Sequence, residues 1–200
     1  MQQAKIYQNV FLGEGTDIRE FVIIGEPPRQ KKGGELKTVI GKNALIRSHT
    51  VIYAGNVIGD FFHTGHQVMI REENIIGNKV SIGTGTVVEH HVRIEDNVRI
   101  HSQAFIPEET ILEEGCWIGP NVVITNALYP LSKNVKSELK GVVVRKNAKI
   151  GANVTLLPGI EVGENALVGA GSVVTKNVPP NKVVVGNPAK VVNDVSNLNY

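Results

Sequence analysis

The sequence predicts an all-β protein folded as a parallel β-helix, in which short strands and tight turns alternate along the chain. Aliphatic residues recur at every sixth position from Ile40 to Ile124, and Thr64 is the one exception in that series. A helix repeats about every 3.6 residues and a simple strand every two, so neither accounts for this spacing. The 21 glycines and the aromatic content of 5% fit a narrow interior with little space for rings.

Each six-residue unit is predicted to contain one strand and one turn. The residue four positions after each aliphatic residue is usually small or β-branched, as at Ala44, Thr50 and Val68. Because successive strand residues point to opposite faces, this residue and the next aliphatic residue both point inward. The position just before the small residue is often Asn or Gly, such as Asn43 and Gly55, which tolerate a positive φ. Stacked units of this kind hydrogen-bond to one another at a spacing of about 4.8 Å.

The repeat indicates one domain with two interruptions. It covers residues 1–192 as a single predicted β-helix, with a short tail at 193–200. Predicted loops interrupt it at about 26–38 and about 127–142. If three units complete one coil, both loops leave the helix from the same corner. Two long loops above one corner are typical of a functional site with covering segments.

Composition and charge exclude several classes of function. Lys and Arg number 21 against 19 Asp and Glu, a balance too even for binding nucleic acid through charge alone. No apolar run approaches the roughly 18 residues of a membrane-spanning helix, and the N-terminus lacks the apolar core of a signal peptide. We therefore expect a cytoplasmic protein without membrane insertion. The single cysteine, Cys116, cannot form an internal disulfide and is predicted to be a small core residue.

One turn position carries paired ionisable residues in consecutive coils. Residues 18 positions apart stack if three units form a coil, which aligns Glu72–Glu73, His90–His91 and Glu108–Glu109, with Asn126 one coil further on. Directly stacked carboxylates repel one another. Histidines between two pairs of acids therefore predict a site at this corner.

The units IGKNAL, IGNKVS, IGPNVV and IGANVT resemble those of the hexapeptide-repeat acyltransferases. The resemblance covers residue 5 to about residue 192. It implies a left-handed helix with three units per coil and a homotrimeric assembly. The left hand departs from the general right-handed rule for parallel crossovers and is therefore an expectation from the resemblance alone.

The segment TGTVVEHHVRI resembles the catalytic strand of the bacterial amino-sugar N-acetyltransferases of this fold. In that family, a histidine after an aliphatic residue and an acid is regarded as the general base, and the match implies this role for His90. The family histidine is often followed by an acid, whereas His91 follows here. The column supplies Glu72 and Glu108, one coil below and above, which are expected to hydrogen-bond the His90 imidazole and fix its tautomer.

The C-terminal block, which closes on GNPAK, resembles the coenzyme-A-binding end of these acetyltransferases. The resemblance implies acetyl-CoA as co-substrate. It places the pantetheine arm beside the small residues Ala152 and Ala170, and the phosphates near Lys176 and Lys190. In relatives the arm lies between neighbouring subunits, so a monomer is expected to be inactive.

The stretch CWIGPNVVITNALYPLSK resembles the acceptor region of enzymes that acetylate nucleotide-linked amino sugars. There a Thr-Asn pair precedes a projecting loop, which implies substrate binding by Thr125 and Asn126. His66, in an irregular stretch of the repeat, and His91 are two further candidates for the substrate groove.

Together these features predict an N-acetyltransferase that transfers acetyl from acetyl-CoA to the amine of a nucleotide-activated sugar, in surface polysaccharide or glycan synthesis. Alternatives are O-acetylation of a sugar or an antibiotic, a metal lyase similar to the carbonic anhydrases of this fold, and a non-catalytic β-helix. Those carbonic anhydrases bind zinc through three histidines, two of them five positions apart. No two histidines here have that spacing, so no metal is expected.

Overall fold

A computed structural model describes residues 4–199 as a β-helix with three parallel sheets along its sides. Sheet A contains β1 (Lys5–Ile6), β4 (Ile23–Glu26), β7 (Val51–Tyr53), β10 (Met69–Ile70), β13 (Val87–Val88), β16 (Phe105–Ile106), β19 (Val123–Ile124), β22 (Thr155–Leu156) and β25 (Val173–Val174). Sheet B contains β2 (Val10–Leu12), β5 (Thr38–Ile40), β8 (Val57–Ile58), β11 (Ile75–Ile76), β14 (Arg93–Ile94), β17 (Ile111–Leu112), β20 (Val143–Val144) and β23 (Glu161–Val162). Sheet C contains β3 (Asp17–Ile18), β6 (Leu45–Ile46), β9 (His63–Thr64), β12 (Ser81–Ile82), β15 (Arg99–Ile100), β18 (Trp117–Ile118), β21 (Lys149–Ile150), β24 (Leu167–Val168), β26 (Lys182–Gly186) and β27 (Ala189–Asp194).

The register of the strands confirms that three hexads form one coil. In sheet A, Met69 pairs with Val87, Val87 with Phe105, and Phe105 with Val123, each 18 residues apart. The chain passes through the sheets in the repeating order A, B, C, as the consecutive strands β13, β14 and β15 illustrate. The fold is a left-handed parallel β-helix, which confirms the parallel β-helix that the repeat predicted and the left hand that the resemblance implied.

The aliphatic residue of each hexad lies in the core. Ile52, Ile70 and Val88 are completely buried, and so is the predicted core residue Cys116. Burial raises the pKa of the Cys116 thiol, which keeps it protonated. Thr64 also points inward, and its Oγ1 accepts a hydrogen bond from the Arg47 backbone N–H at 3.0 Å.

The predicted turn position has a positive φ at every sixth residue from 43 to 121. Asn43 and Gly55 follow the prediction, but Glu73, His91 and Glu109 adopt the same left-handed conformation without being Asn or Gly. The coil geometry therefore imposes this conformation on side chains that rarely choose it.

Both long loops leave from the ends of sheet A strands, as predicted. The first joins β4 to β5 and the second joins β19 to β20, with a 3-10 turn, η1, at Val135–Ser137. The last strand, β27, extends two residues beyond the predicted domain end at residue 192. The hairpin of β26 and β27 is antiparallel and continues to Asp194, and a second 3-10 turn, η2, spans Val195–Asn197. This hairpin lacks the six-residue repeat, so the periodicity could not define its end.

No helix in residues 4–199 has the length and apolar character needed to span a membrane.

Candidate active site

The column of ionisable residues lies at the corner between sheet A and sheet B, here called the A corner. Residues 72–73, 90–91, 108–109 and 126 each follow a strand of sheet A. The structure therefore confirms the vertical alignment that the 18-residue spacing predicted.

Buried asparagines support this corner from inside the helix. Asn56 and Asn74 are completely buried, and Asn56 Oδ1 accepts a hydrogen bond from the Asn74 backbone N–H at 3.0 Å. Asn74 Oδ1 in turn accepts one from the Val92 N–H at 2.7 Å, and its Nδ2 donates to the Arg71 carbonyl at 2.8 Å. Since each bond joins backbone near the turn to a fixed amide, the ladder holds the corner in register.

His90 lies at the centre of a chain of four polar side chains. Its Nε2 is 2.7 Å from Glu108 Oε2, and its Nδ1 is 3.1 Å from Nδ1 of His91. Nε2 of His91 is 3.4 Å from Glu73 Oε2. The His90 and Glu108 side chains are about a quarter exposed (28% and 24%), so they are shielded and still accessible.

These contacts favour one distribution of the hydrogens. A carboxylate only accepts hydrogen bonds, so the glutamate next to each Nε2 favours a hydrogen on that nitrogen. Both Nδ1 atoms then lack a hydrogen of their own, and a bond between them needs one further proton. With that proton the pair carries one positive charge between two carboxylates. Without it, His90 presents a bare Nδ1, which is the form a general base needs.

Glu72 does not make the predicted bond to His90. Its two oxygens accept hydrogen bonds from Arg71 at 2.9 and 3.0 Å, and Arg71 also reaches Glu89 at 3.2 Å. Burial alone would raise the pKa of Glu72, but the hydrogen bonds and charge of Arg71 outweigh burial and lower it. The expectation that Glu72 orients the imidazole is therefore wrong, because its immediate neighbour Arg71 binds it instead.

The second loop forms one wall of a cavity above His90. The cavity has a volume of about 740 Å³ and is lined by His90, Glu108, Glu109, Lys136, Leu139 and Gly141. A Cβ on Gly141 would lie 1.7 Å from the Glu109 carbonyl oxygen, so only glycine lets the loop return this close to the corner. The sequence indicated that a loop covers the site, but the repeat could not identify which loop residues face it.

Thr125 and Asn126 lie at the base of this loop and hold it to the helix. The Thr125 hydroxyl donates to the Leu156 carbonyl at 3.0 Å, and Asn126 Nδ2 donates to the Glu108 carbonyl at 3.4 Å. The Lys140 N–H donates to the Asn126 carbonyl at 2.9 Å, which closes the loop. Their predicted role in substrate binding stays a prediction.

The residues predicted to bind coenzyme A lie at two different corners. Ala152 and Ala170 stack at the corner after sheet C, here called the C corner, where the Gly171 N–H donates to the Ala152 carbonyl at 2.8 Å. Lys176 follows β25 at the A corner, whereas Lys190 lies in β27, the edge strand of sheet C. One chain therefore does not bring these four residues together.

His66 lies at the C corner, away from His90. Its Nδ1 is 2.8 Å from Ser48 Oγ, one coil below. Of the two further histidine candidates, the structure brings only His91 to the A corner.

Across residues 4–199, no three His, Cys, Asp or Glu side chains converge in a way that could hold a metal ion.

Comparison with known proteins identifies the repeat. The family model described as bacterial transferase hexapeptide (six repeats) matches residues 75–108 and 141–176. The chain is 31% identical over 131 residues to the galactoside O-acetyltransferase of Lactococcus lactis, an alignment covering 64% of this chain and 58% of that protein. Over residues 75–108 and 141–176 the chain is similar to the bacterial transferase hexapeptide repeat, in agreement with its left-handed β-helix fold.

Solved structures agree on the fold. A maltose O-acetyltransferase from Clostridium difficile superposes with a TM-score of 0.52 at 29% identity, covering 59% of this chain and 67% of that chain. A UDP-N-acetylglucosamine acyltransferase from Bacteroides fragilis superposes with a TM-score of 0.63 at 18% identity, covering 97% and 74%. This second likeness concerns the fold only. The chain spans 58% of the length of the Lactococcus relative.

Proposed function

We propose that this protein is an acetyl-CoA-dependent sugar acetyltransferase in which His90 is the general base. The observation that carries the proposal is the 2.7 Å contact between His90 Nε2 and Glu108 Oε2 at the floor of a cavity. The relatives named as galactoside and maltose O-acetyltransferases support the same class of reaction.

The reaction follows from the bonding of His90. Glu108 accepts the Nε2 hydrogen, so Nδ1 is the atom that receives a proton from the acceptor. The acceptor takes the place of His91 beside Nδ1 and attacks the thioester carbonyl. The new bond to the acetyl carbon forms, the C–S bond breaks, and the proton passes through His90 to the departing thiolate. General-base assistance of this kind contributes about 10²–10⁴-fold.

Acetyl transfer is proposed to be direct, with both substrates bound together. The one cysteine is completely buried and its raised pKa keeps the thiol protonated, so it is unsuited to carrying an acyl group. The acetyl-CoA requirement also fits a cytoplasmic enzyme.

The first candidate acceptor is the amine of a nucleotide-linked amino sugar, as in surface glycan synthesis. The Thr125–Asn126 pair at the base of a projecting loop supports this choice, because it matches the acceptor region that the sequence resembles. The cavity of about 740 Å³ is within the usual range for sites that bind ligands of this size.

The second candidate acceptor is a sugar hydroxyl. The Lactococcus and Clostridium relatives carry names that specify O-acetylation, and they support this alternative. A histidine held by a carboxylate can deprotonate either acceptor, so a turnover assay with matched substrates decides between them.

The proposal includes a homotrimer with shared sites. His90 lies at the A corner, whereas Ala152 and Ala170, the residues proposed to flank pantetheine, lie at the C corner. In a cyclic trimer one surface of each subunit meets a different surface of the next. The A corner of one subunit would therefore face the C corner of its neighbour, and the proposed thioester would reach His90 across that interface.

The function is tested by incubating the purified protein with acetyl-CoA and matched acceptors, and by measuring release of free thiol. The panel contains nucleotide-linked amino sugars, the corresponding hydroxyl sugars, galactosides and maltose. We expect turnover with at least one amino-sugar acceptor. Turnover only with hydroxyl acceptors would replace the first candidate by the second, and absence of thiol release with every acceptor would contradict the proposed function.

A further inference from the structure

A second polar groove lies at the C corner, away from the cavity above His90. It has a volume of about 360 Å³, and its polar lining includes Arg47, Arg99, His63, His66 and His101. Hydroxyl groups of serine and threonine complete the polar lining, and none of its lining residues is acidic. The groove therefore concentrates donors and positive charge without a carboxylate to neutralise them.

Neither arginine of the groove forms an ion pair with any residue in the range 4–199. Arg71 and Arg145 are both bound by glutamates. In contrast, the Arg99 guanidinium has no hydrogen bond or ion pair with any residue in the range 4–199. Arg47 Nη1 donates to the Thr64 carbonyl at 2.7 Å, which holds its guanidinium at the groove and leaves other N–H groups available.

His101 also lines the groove, and one of its ring nitrogens is buried. Its Nε2 is inaccessible to solvent and has no hydrogen-bond partner among the described residues. The ring is fixed against Trp117, with 4.6 Å between the ring centroids. Burial, and then the charge of Arg99, lower the pKa of His101, so the ring is neutral at pH 7 and can carry its hydrogen on Nε2. A buried polar atom without a partner calls for a ligand or another explanation.

The groove lies at the same level of the helix as His90. Its strands β12 and β15 belong to sheet C, and between them along the chain come β13, the His90 turn and β14. In the proposed trimer, where the A corner of one subunit faces the C corner of the next, a ligand in this groove would lie beside the neighbouring His90.

We propose that this groove binds a phosphoryl group, and that this group belongs to the acceptor sugar. The identity of the ligand rests on the proposed function, whereas the binding of a phosphoryl group rests on the groove itself. Arginine offers a planar set of donors that matches phosphate oxygens, and such charge-assisted bonds are stronger than neutral ones. The hydroxyl groups of the lining supply further donors for the remaining oxygens.

The first test measures binding of inorganic pyrophosphate to the full-length protein by calorimetry, without acetyl-CoA. We expect Arg99→Ala to weaken binding by about 10-fold or more, in line with the loss of a charge-assisted hydrogen bond. Arg93→Ala is the matched control, because Arg93 is also exposed and occupies the same position in a strand of sheet B, outside the groove. The control should bind pyrophosphate as the wild type does.

Three results would overturn the groove assignment. These are equal weakening by both substitutions, unchanged binding in Arg99→Ala, and no pyrophosphate binding by the wild type. Equal weakening would show that only net charge matters, and unchanged binding would place the anion elsewhere.

The second test compares acetylation of glucosamine 1-phosphate with that of glucosamine. We expect Arg99→Ala to raise KM for the phosphorylated acceptor by about 10-fold and to leave KM for glucosamine unchanged. Acetylation without any effect of Arg99 would overturn this inference and leave the proposed function intact. Pyrophosphate binding through Arg99 without acetylation of any acceptor would contradict the proposed function and leave the groove assignment standing.

Discussion

The two adjacent histidines, His90 and His91, differ in their glutamate partners and in their solvent exposure. His90 lies 2.7 Å from Glu108, and both side chains are about a quarter exposed, whereas His91 lies 3.4 Å from Glu73 and is about half exposed. The better-held ring suits the catalytic role, because a base must keep one orientation while it accepts a proton. His91 is then the group that the acceptor displaces.

Replacing His90 by alanine should lower kcat by about 10²–10⁴-fold, because it removes the proposed base. The affinity for acetyl-CoA should change little, since the residues proposed to hold pantetheine lie at another corner. Stopped assays of free thiol and calorimetry with acetyl-CoA measure the two quantities. His49→Ala, which alters a histidine stacked on Phe21 away from the cavity, is the control. Wild-type turnover in His90→Ala would assign proton removal to another group or to the thiolate.

The two glutamates that flank His90 in the column should respond differently to substitution. Glu108→Gln removes the carboxylate that holds Nε2 of His90, and we expect kcat to fall by about 10-fold or more. Glu72→Gln should change kcat by less than about 3-fold, because Glu72 is bound by Arg71 and makes no hydrogen bond to His90. Steady-state kinetics of both variants under one set of conditions makes the comparison. A larger effect of Glu72→Gln would restore the role that the sequence predicted for it.

At the scale of elements, the A corner depends on buried asparagines inside a helix whose core is mostly aliphatic. Asn56 and Asn74 occupy inward positions that small or β-branched residues occupy elsewhere in the repeat. Their side chains bond to backbone groups at the corner, so they satisfy polar atoms that an aliphatic side chain would leave unpaired. The six-residue period alone does not indicate the partners of these two side chains.

Substituting Asn74 by alanine should lower the free energy of unfolding by about 1–3 kcal/mol, since it leaves the Val92 N–H without a partner and removes one of the two side-chain hydrogen bonds to the Arg71 carbonyl. Urea unfolding followed by circular dichroism measures this change. Asn78→Ala is the matched control, because Asn78 bonds to Asp96 in an equivalent ladder on the exposed surface. It should cost about 1 kcal/mol or less. Equal costs for the two variants would contradict the structural role of the buried ladder.

At the scale of the whole molecule, the three sheets present different outer faces. The outward residues of sheet A through five successive coils are all apolar: Val51, Met69, Val87, Phe105 and Val123. The outward residues of the other two sheets in these coils include charged or polar side chains: Arg93 in sheet B, and His63 and Arg99 in sheet C. A continuous apolar face beside the candidate site is typical of a surface covered by another subunit, which agrees with the proposed trimer.

Light scattering after size-exclusion chromatography should give a mass about three times the 21.7 kDa of the chain. Phe105→Asp should shift the protein to monomers and abolish acetyl transfer, because it places a charge in the apolar face and separates the two corners. Ile75→Asp, on the outer face of sheet B and 60% exposed, is the control and should stay trimeric. A fully active monomer would contradict the shared site.

The six-residue period by itself determined the core and the positive-φ turns, and, with the three units per coil that the resemblance implied, it also gave the 18-residue stacking that aligned His90 with Glu108. It could do so because a β-helix converts a fixed interval along the chain into vertical proximity. Only the tertiary structure decided that Arg71 binds Glu72, that Gly141 brings the second loop over the site, and that Arg99 faces His101 in a separate groove. These contacts depend on side-chain direction and loop path, and neither follows from a repeat whose spacing describes only the backbone.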